Sequence, residues 1–132
     1  MNDSALVTLL TDFGTRDGYA AAMKGAVLAV APRARVLDAT HDIPSHDVRA
    51  GAWALGQYWR RFPAGTIHVA VVDPGVGGER AALLVEADCR YILAPDNGLI
   101  ALVAEEAEDL AVARLRPEAV SRGPVSPTFH GR

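Results

Sequence analysis

Cysteine is almost missing from this sequence of 132 residues: Cys89 stands alone, which excludes an internal disulfide and any cysteine-built metal cluster. Its apolar neighbours favour a buried structural thiol over a nucleophile. A basic stripe is also missing, and the net charge is −3. No nucleic-acid partner is therefore expected. Long hydrophobic runs are absent too. No stretch approaches the length of a membrane span, and the N-terminus has no basic region followed by an apolar core. No membrane partner is expected, and the cytoplasm is the expected compartment. Neither the G-x-x-x-x-G-K-[ST] nor the G-x-G-x-x-G phosphate-binding pattern occurs. There is no repeat and no low-complexity tract.

What is present is ordinary globular material, 50% hydrophobic and 22% charged, enough for one domain with a core. Ala5–Leu10 reads as a first strand. Tyr19, Met23, Ala26, Val27 and Val30 recur at helical spacing, so a helix is expected over Tyr19–Ala31, with Asp17 before its positive end and Pro32 after it. Val36–Thr40 reads as a second strand. Val48, Ala52, Leu55, Trp59 and Phe62 then mark an amphipathic helix, with Ser45 as N-cap and Arg49, Gln57, Arg60 and Arg61 on its wet side. Trp53, Tyr58 and Trp59 on that helix read as core and interface packing residues. Ile67–Val72 reads as a strand buried on both faces, and His68 within it as a packed residue.

Strand, helix, strand, helix, strand in that order predicts parallel strands joined by right-handed crossovers. The pattern then changes. Ala81–Ala87 and Tyr91–Ala94 predict a hairpin around Asp88-Cys89-Arg90. Leu99–Glu105 predicts a short helix, Asp109–Leu115 a further strand, and Arg116–Pro127 a loop. The fold class is therefore α/β, three-layered around a mostly parallel sheet.

The stretch Val69–Arg80, V-A-V-V-D-P-G-V-G-G-E-R, carries the strongest local signal. An apolar strand ends at Asp73, Pro74 breaks the ladder, and three glycines let backbone approach a ligand. Arg80 lies seven positions on and can fold back toward the carboxylate. Ligands in open parallel sheets sit outside the carboxyl ends of the strands. The same residues also make an ordinary turn, and the stretch alone does not choose between turn and site. T-D-F-G at Thr11–Gly14 and P-D-N-G at Pro95–Gly98 repeat the arrangement, so Asp12 and Asp73 are expected at one sheet edge. His41 and His46 flank a proline turn and can line that edge. With Asp12 or Asp73 they suggest a metal site, but their spacing fits no standard ligand pattern and no metal is expected.

Six collinear motifs go further: T-L-L-T-D-F-G (Thr8–Gly14), M-K-G-A-V-L (Met23–Leu28), D-A-T-H-D-I-P (Asp38–Pro44), V-V-D-P-G-V-G (Val71–Gly77), A-P-D-N-G-L (Ala94–Leu99) and T-F-H-G-R (Thr128–Arg132). Together they resemble the S-adenosylmethionine hydroxide adenosyltransferases, relatives of the fluorinating and chlorinating enzymes. The resemblance implies hydrolysis of S-adenosylmethionine to adenosine and L-methionine, with S-adenosylmethionine as substrate and no cofactor. It places a catalytic trio on Asp73, Arg80 and His130. It places substrate contacts on Asp12 (the ribose hydroxyls), Phe13, His46, Pro74, Val76, Asn97, Phe129 and Gly131. Halogenating relatives carry a tyrosine at the position of Asp73 and a small hydroxyl residue at that of Val76, so this pattern implies water as the nucleophile.

Members of that family continue into a second, mainly β domain and form homotrimers that hold substrate between subunits. The resemblance therefore implies that residues 1–132 are a single N-terminal α/β domain without the C-terminal β domain. Weak substrate binding and little turnover are expected of the chain alone. A non-catalytic module that binds an adenosyl ligand or associates with itself is the alternative.

Overall fold

The computed structural model describes residues 4–75 and 80–115. Along the chain run β1 (Leu6–Thr11), α1 (Tyr19–Val30), β2 (Arg35–Thr40), α2 (Val48–Tyr58), a 3-10 turn (Trp59–Arg61), β3 (Ile67–Val71), β4 (Ala82–Ala87), β5 (Arg90–Pro95), α3 (Ala101–Glu106) and β6 (Leu110–Leu115). The strands form one sheet in the order β2-β1-β3-β5-β4-β6. β1 is parallel to β2 and β3, and β3 is parallel to β5. β4 is antiparallel to β5 and β6, so the expected hairpin and the mostly parallel α/β sheet are both present.

Because β2 and β3 lie on opposite sides of β1, right-handed crossovers send α1 and α2 to opposite faces. Side chains alternate along β1 accordingly. Val7 and Leu9 pack with Met23 of α1 on one face. On the other face Leu10, Ala70 and Val72 join Leu55, Trp59, Ile92, Leu99 and Val103 in the larger core. Each such aliphatic side chain taken from water contributes about 1.5–3 kcal/mol. Helix α2 meets this core closely at Gly51. A Cβ there would stand 2.8 Å from Leu99 Cδ2 and 3.2 Å from Val72 Cγ2. Helix α2 thus rests directly on the residue before Asp73.

Several expectations needed correction. β3 is not buried on both faces: Ala70 and His68 are buried, while Ile67, Val69 and Val71 are half-buried. α1 is short of apolar surface, with Tyr19, Leu28 and Val30 exposed, and covers only part of its side of the sheet. The N-cap of α2 is Asp47, whose Oδ1 accepts from Ala50 N at 3.0 Å; Ser45 lies outside the helix. Trp59 is fully buried, but Trp53 is 62% exposed, off the packed face of the helix. Cys89 is exposed. It occupies the β4–β5 turn with Asp88, at φ 68° and 45° respectively. A two-residue turn with both φ positive is the type I′ geometry that matches strand twist; it leaves Cys89 in solvent, while the Asp88 carboxylate accepts from Glu108 N and Asp109 N.

His68 is packed, as expected, and also bonded. Its Nε2 donates to Trp59 O at 3.0 Å, which leaves Nδ1 to accept from the Thr8 hydroxyl at 2.6 Å. Tyr58 and Phe62 meet its ring edge to face, with centroids 5.3 and 5.5 Å away. Burial pushes the imidazole below its usual pKa, since a charged ring there would lose its hydration. At the amino end of the sheet, Arg90 donates to Phe62 O, Arg60 O and Asp88 O, closing the end of the 3-10 turn.

Candidate active site

Three parallel neighbours, β1, β3 and β5, end at the same edge. Each is followed by a polar residue from the sequence motifs: Asp12 after β1, Asp73 after β3 and Asn97 after β5. Adjacent strands lie about 4.8 Å apart, so consecutive turns fall within reach of one small ligand. The gap between β1 and β3 is also where the crossovers part to opposite faces. That is the switch point at which open α/β sheets leave a crevice.

Asp73 is buried. Its Oδ2 accepts from Arg80 Nη2, and the two side chains are 5% and 16% exposed. Pro74 and Gly75 turn away from β3, and the Arg80 guanidinium lies at the strand end that carries the carboxylate. Among the described residues, neither Asp73 Oδ1 nor Arg80 Nε has a hydrogen-bond partner, although both are buried. A buried carboxylate oxygen normally has one. Among the described residues the pair therefore leaves one acceptor and one donor open, the complement of a small polar molecule that both donates and accepts.

Asn97 holds this turn from the side. Its Nδ2 donates to Val72 O at 2.8 Å, and its Oδ1 accepts from Leu99 N at 3.3 Å. The amide named above as a substrate contact thus bonds the peptide just ahead of Asp73. On the β1 side, Asp12 Oδ2 accepts from His46 N at 2.7 Å. His46 is exposed, with φ 62°. That left-handed conformation is uncommon outside glycine, and the carboxylate helps hold it. Pro74 is exposed at the same edge, and Phe13 is half-buried beside α1, its ring 6.3 Å from that of Tyr19. Val76, Phe129, His130 and Gly131 lie outside the described residues.

Sequence reasoning missed one group of residues. His41 does not line the edge beside His46 but is buried beneath it. Its Nδ1 lies 2.7 Å from Thr11 Oγ1, and its Nε2 lies 2.7 Å from Asp38 Oδ1. Lys24 Nζ donates to Asp38 Oδ2 at 2.7 Å and, with His41, holds that carboxyl below its usual pKa against the opposing effect of burial. A signal was present in D-A-T-H: an Asp and a His three apart at a strand end, with a Thr closing the neighbouring strand. Only the register of β1 on β2 brings them together. Among the described residues, no cluster of His, Cys, Asp or Glu has the arrangement of a metal site.

Comparison with known proteins bears on the family of the chain. The family model for the SAM hydroxide adenosyltransferase N-terminal domain matches residues 7–132. The chain is 42% identical over 134 residues to the (R)-S-adenosyl-L-methionine hydrolase of Salinispora arenicola, covering 100% of this chain and 51% of that protein. It is 40% identical to the (R)-S-adenosyl-L-methionine hydrolase of Methanocaldococcus jannaschii, covering 96% and 49%. Identity to a fluorinase of Actinoplanes sp. is 25%, covering 99% of this chain and 52% of that protein. Among solved structures, an uncharacterized conserved protein from Thermotoga maritima superposes with a TM-score of 0.88 at 33% identity, covering 96% of this chain and 49% of that one. The chain spans about half the length of the curated relatives it matches.

Proposed function

The chain belongs to the SAM hydroxide adenosyltransferase family through its N-terminal domain, and on that premise we propose that it supplies the water-activating half of a site that hydrolyses S-adenosyl-L-methionine to adenosine and L-methionine. The observation that carries this reading is the buried Asp73–Arg80 pair at the carboxyl edge of β3, in which Asp73 Oδ1 and Arg80 Nε have no hydrogen-bond partner among the described residues. Curated relatives bearing the hydrolase name support it.

The chemistry asks little of the leaving group. The sulfonium departs from ribose carbon 5′ as a neutral thioether, taking the C–S electron pair, and needs neither acid nor cofactor. The difficulty is the nucleophile. Arg80 is permanently cationic and stabilises hydroxide developing on a water beside it. Asp73 orients Arg80 and accepts a hydrogen bond from that water through Oδ1. The new bond joins the water oxygen to carbon 5′, and His130 takes the released proton. Asp12, on the adjacent strand end, holds the ribose hydroxyls, and the remaining contacts come from Phe13, His46, Pro74, Val76, Asn97, Phe129 and Gly131. The chain works in the cytoplasm as part of a homotrimer whose second domains complete the substrate pocket.

The test is hydrolysis in water enriched in oxygen-18, with each sulfonium epimer supplied separately, since the relatives' names specify the R form. Label in the 5′-hydroxyl of adenosine, with the R epimer consumed faster, is expected. Arg80→Ala should lower the rate by about 10²–10³-fold, the usual effect of removing one stabiliser of developing oxyanion charge. Binding without product would support a non-catalytic module instead. A chloride-dependent 5′-chloro product would mark a halogenase, and an Arg80→Ala protein with undiminished turnover would refute the water-activating role.

A further inference from the structure

The buried residues beneath Asp12 form a continuous hydrogen-bonded chain. Phe13 N donates to Thr11 Oγ1 at 3.1 Å. The Asp38 carboxylate, which Lys24 of α1 holds from outside, can only accept, so His41 Nε2–H donates to it and the neutral ring's Nδ1 accepts from the Thr11 hydroxyl. His41 also acts through its backbone, its carbonyl accepting from Gly14 N at 2.8 Å. One residue therefore fastens both ends of the four-residue turn Thr11–Gly14, and Asp12 and Phe13 lie between the fastenings. Thr11 is fully buried and His41 nearly so, and the chain runs from β1 through β2 to α1.

We propose that Thr11 and His41 are positioning residues that set the direction of the Asp12 carboxylate, and so the grip on the ribose of an adenosyl substrate. Neither touches substrate. The consequence for substrate rests on the hydrolase reading above, whereas the clamp on the turn does not. Asp12 contacts the sugar and not the breaking bond, so its grip acts equally in ground and transition states. Loosening it raises KM and leaves kcat alone.

Thr11→Val keeps the shape and removes the hydroxyl, Thr11→Ser restores the hydroxyl, and Asp38→Ala cuts the chain at its half-exposed end without touching the core. In the whole chain without ligand, amide exchange followed by NMR should quicken about tenfold at Phe13 and Gly14 in Thr11→Val and Asp38→Ala, and stay near the parent in Thr11→Ser; tenfold corresponds to about 1.4 kcal/mol. With S-adenosylmethionine, KM should rise about tenfold in the first two variants at a kcat within about twofold. Unchanged exchange at Phe13 and Gly14 in both variants overturns the clamp, as does failure of serine to rescue. A fall in kcat at constant KM overturns the ribose role. If Thr11→Val does not fold, Asp38→Ala decides by the same two readings. If the parent chain, which supplies half of the proposed site, turns over no substrate, the exchange measurement still decides the clamp, and an adenosine dissociation constant unchanged in both variants overturns the ribose role.

Discussion

Neutralising the ion pair at the strand end should cost this domain stability as well as function, and the cost can be worked out. Asp73 and Arg80 are 5% and 16% exposed. At a separation of about 4 Å and an effective dielectric of about 20, two unit charges attract by about 4 kcal/mol. Loss of hydration on burial offsets part of this, so a coupling of about 2–3 kcal/mol is expected between the two side chains. The measurement is a double-mutant cycle with Asp73→Asn, Arg80→Met and the double variant, each unfolded in urea and followed by the fluorescence of the buried Trp59. The losses in the two single variants should sum to more than the loss in the double variant, because each single change leaves one buried charge without its partner. Added salt should change the coupling little, since screening acts mainly on exposed pairs. A coupling below about 0.5 kcal/mol, the value of an ordinary surface pair, would refute the argument that the turn buries these charges against each other.

Three further outcomes follow from the packing. Burial holds His68 below its ordinary pKa of 6.5, so the unfolded chain takes up a proton there before the folded one does. The neutral ring's contribution is intact above pH about 6.5 and falls as pH drops toward the folded value, by at most about 1.4 kcal/mol per pH unit. The urea midpoint of His68→Gln should show a shallower fall with acid than that of the parent, and an equal slope would contradict the assignment. Arg90 bonds three carbonyls at the amino end of the sheet. Arg90→Ala should therefore lower unfolding stability by about 1.5–3 kcal/mol and Arg90→Lys recover only part of it, whereas a full recovery by lysine would show that charge alone matters there. Cys89, exposed in the β4–β5 turn, should react with a thiol reagent in the native protein within about tenfold of its rate in urea, and protection until unfolding would place the thiol inside.

Much of the architecture was readable because it depends on local patterns. Apolar runs of strand length, helical spacing from Val48 to Trp59, and the proline and glycine stops placed the strands and helices of the described residues within two residues, with the 3-10 turn taken as the end of the second helix. The strand–helix alternation was enough to put Asp12 and Asp73 at one edge. The misplaced features all depended on what neighbours cover. No period-two alternation was visible at β3, whose run Ile67–Val72 is apolar on both faces although one face is only half covered. Trp53 and Trp59 are chemically identical, and only the packing of α2 and the 3-10 turn after it buries one and exposes the other. Cys89 looked apolar by context but stands in a turn whose geometry excludes it from the core.

The sequence by itself determined the α/β order, the strand-end carboxylates and the family, since propensity, periodicity and collinear motifs are properties of the chain. Tertiary structure alone decided that Asp73 faces Arg80 with one carboxylate oxygen unbonded among the described residues. It alone decided that Asn97 bonds the Val72 carbonyl, and that a histidine read as an edge residue is the buried fastener of the Asp12 turn. These depend on strand register and on which groups lose water together, and both are settled only when segments far apart in the chain pack against one another.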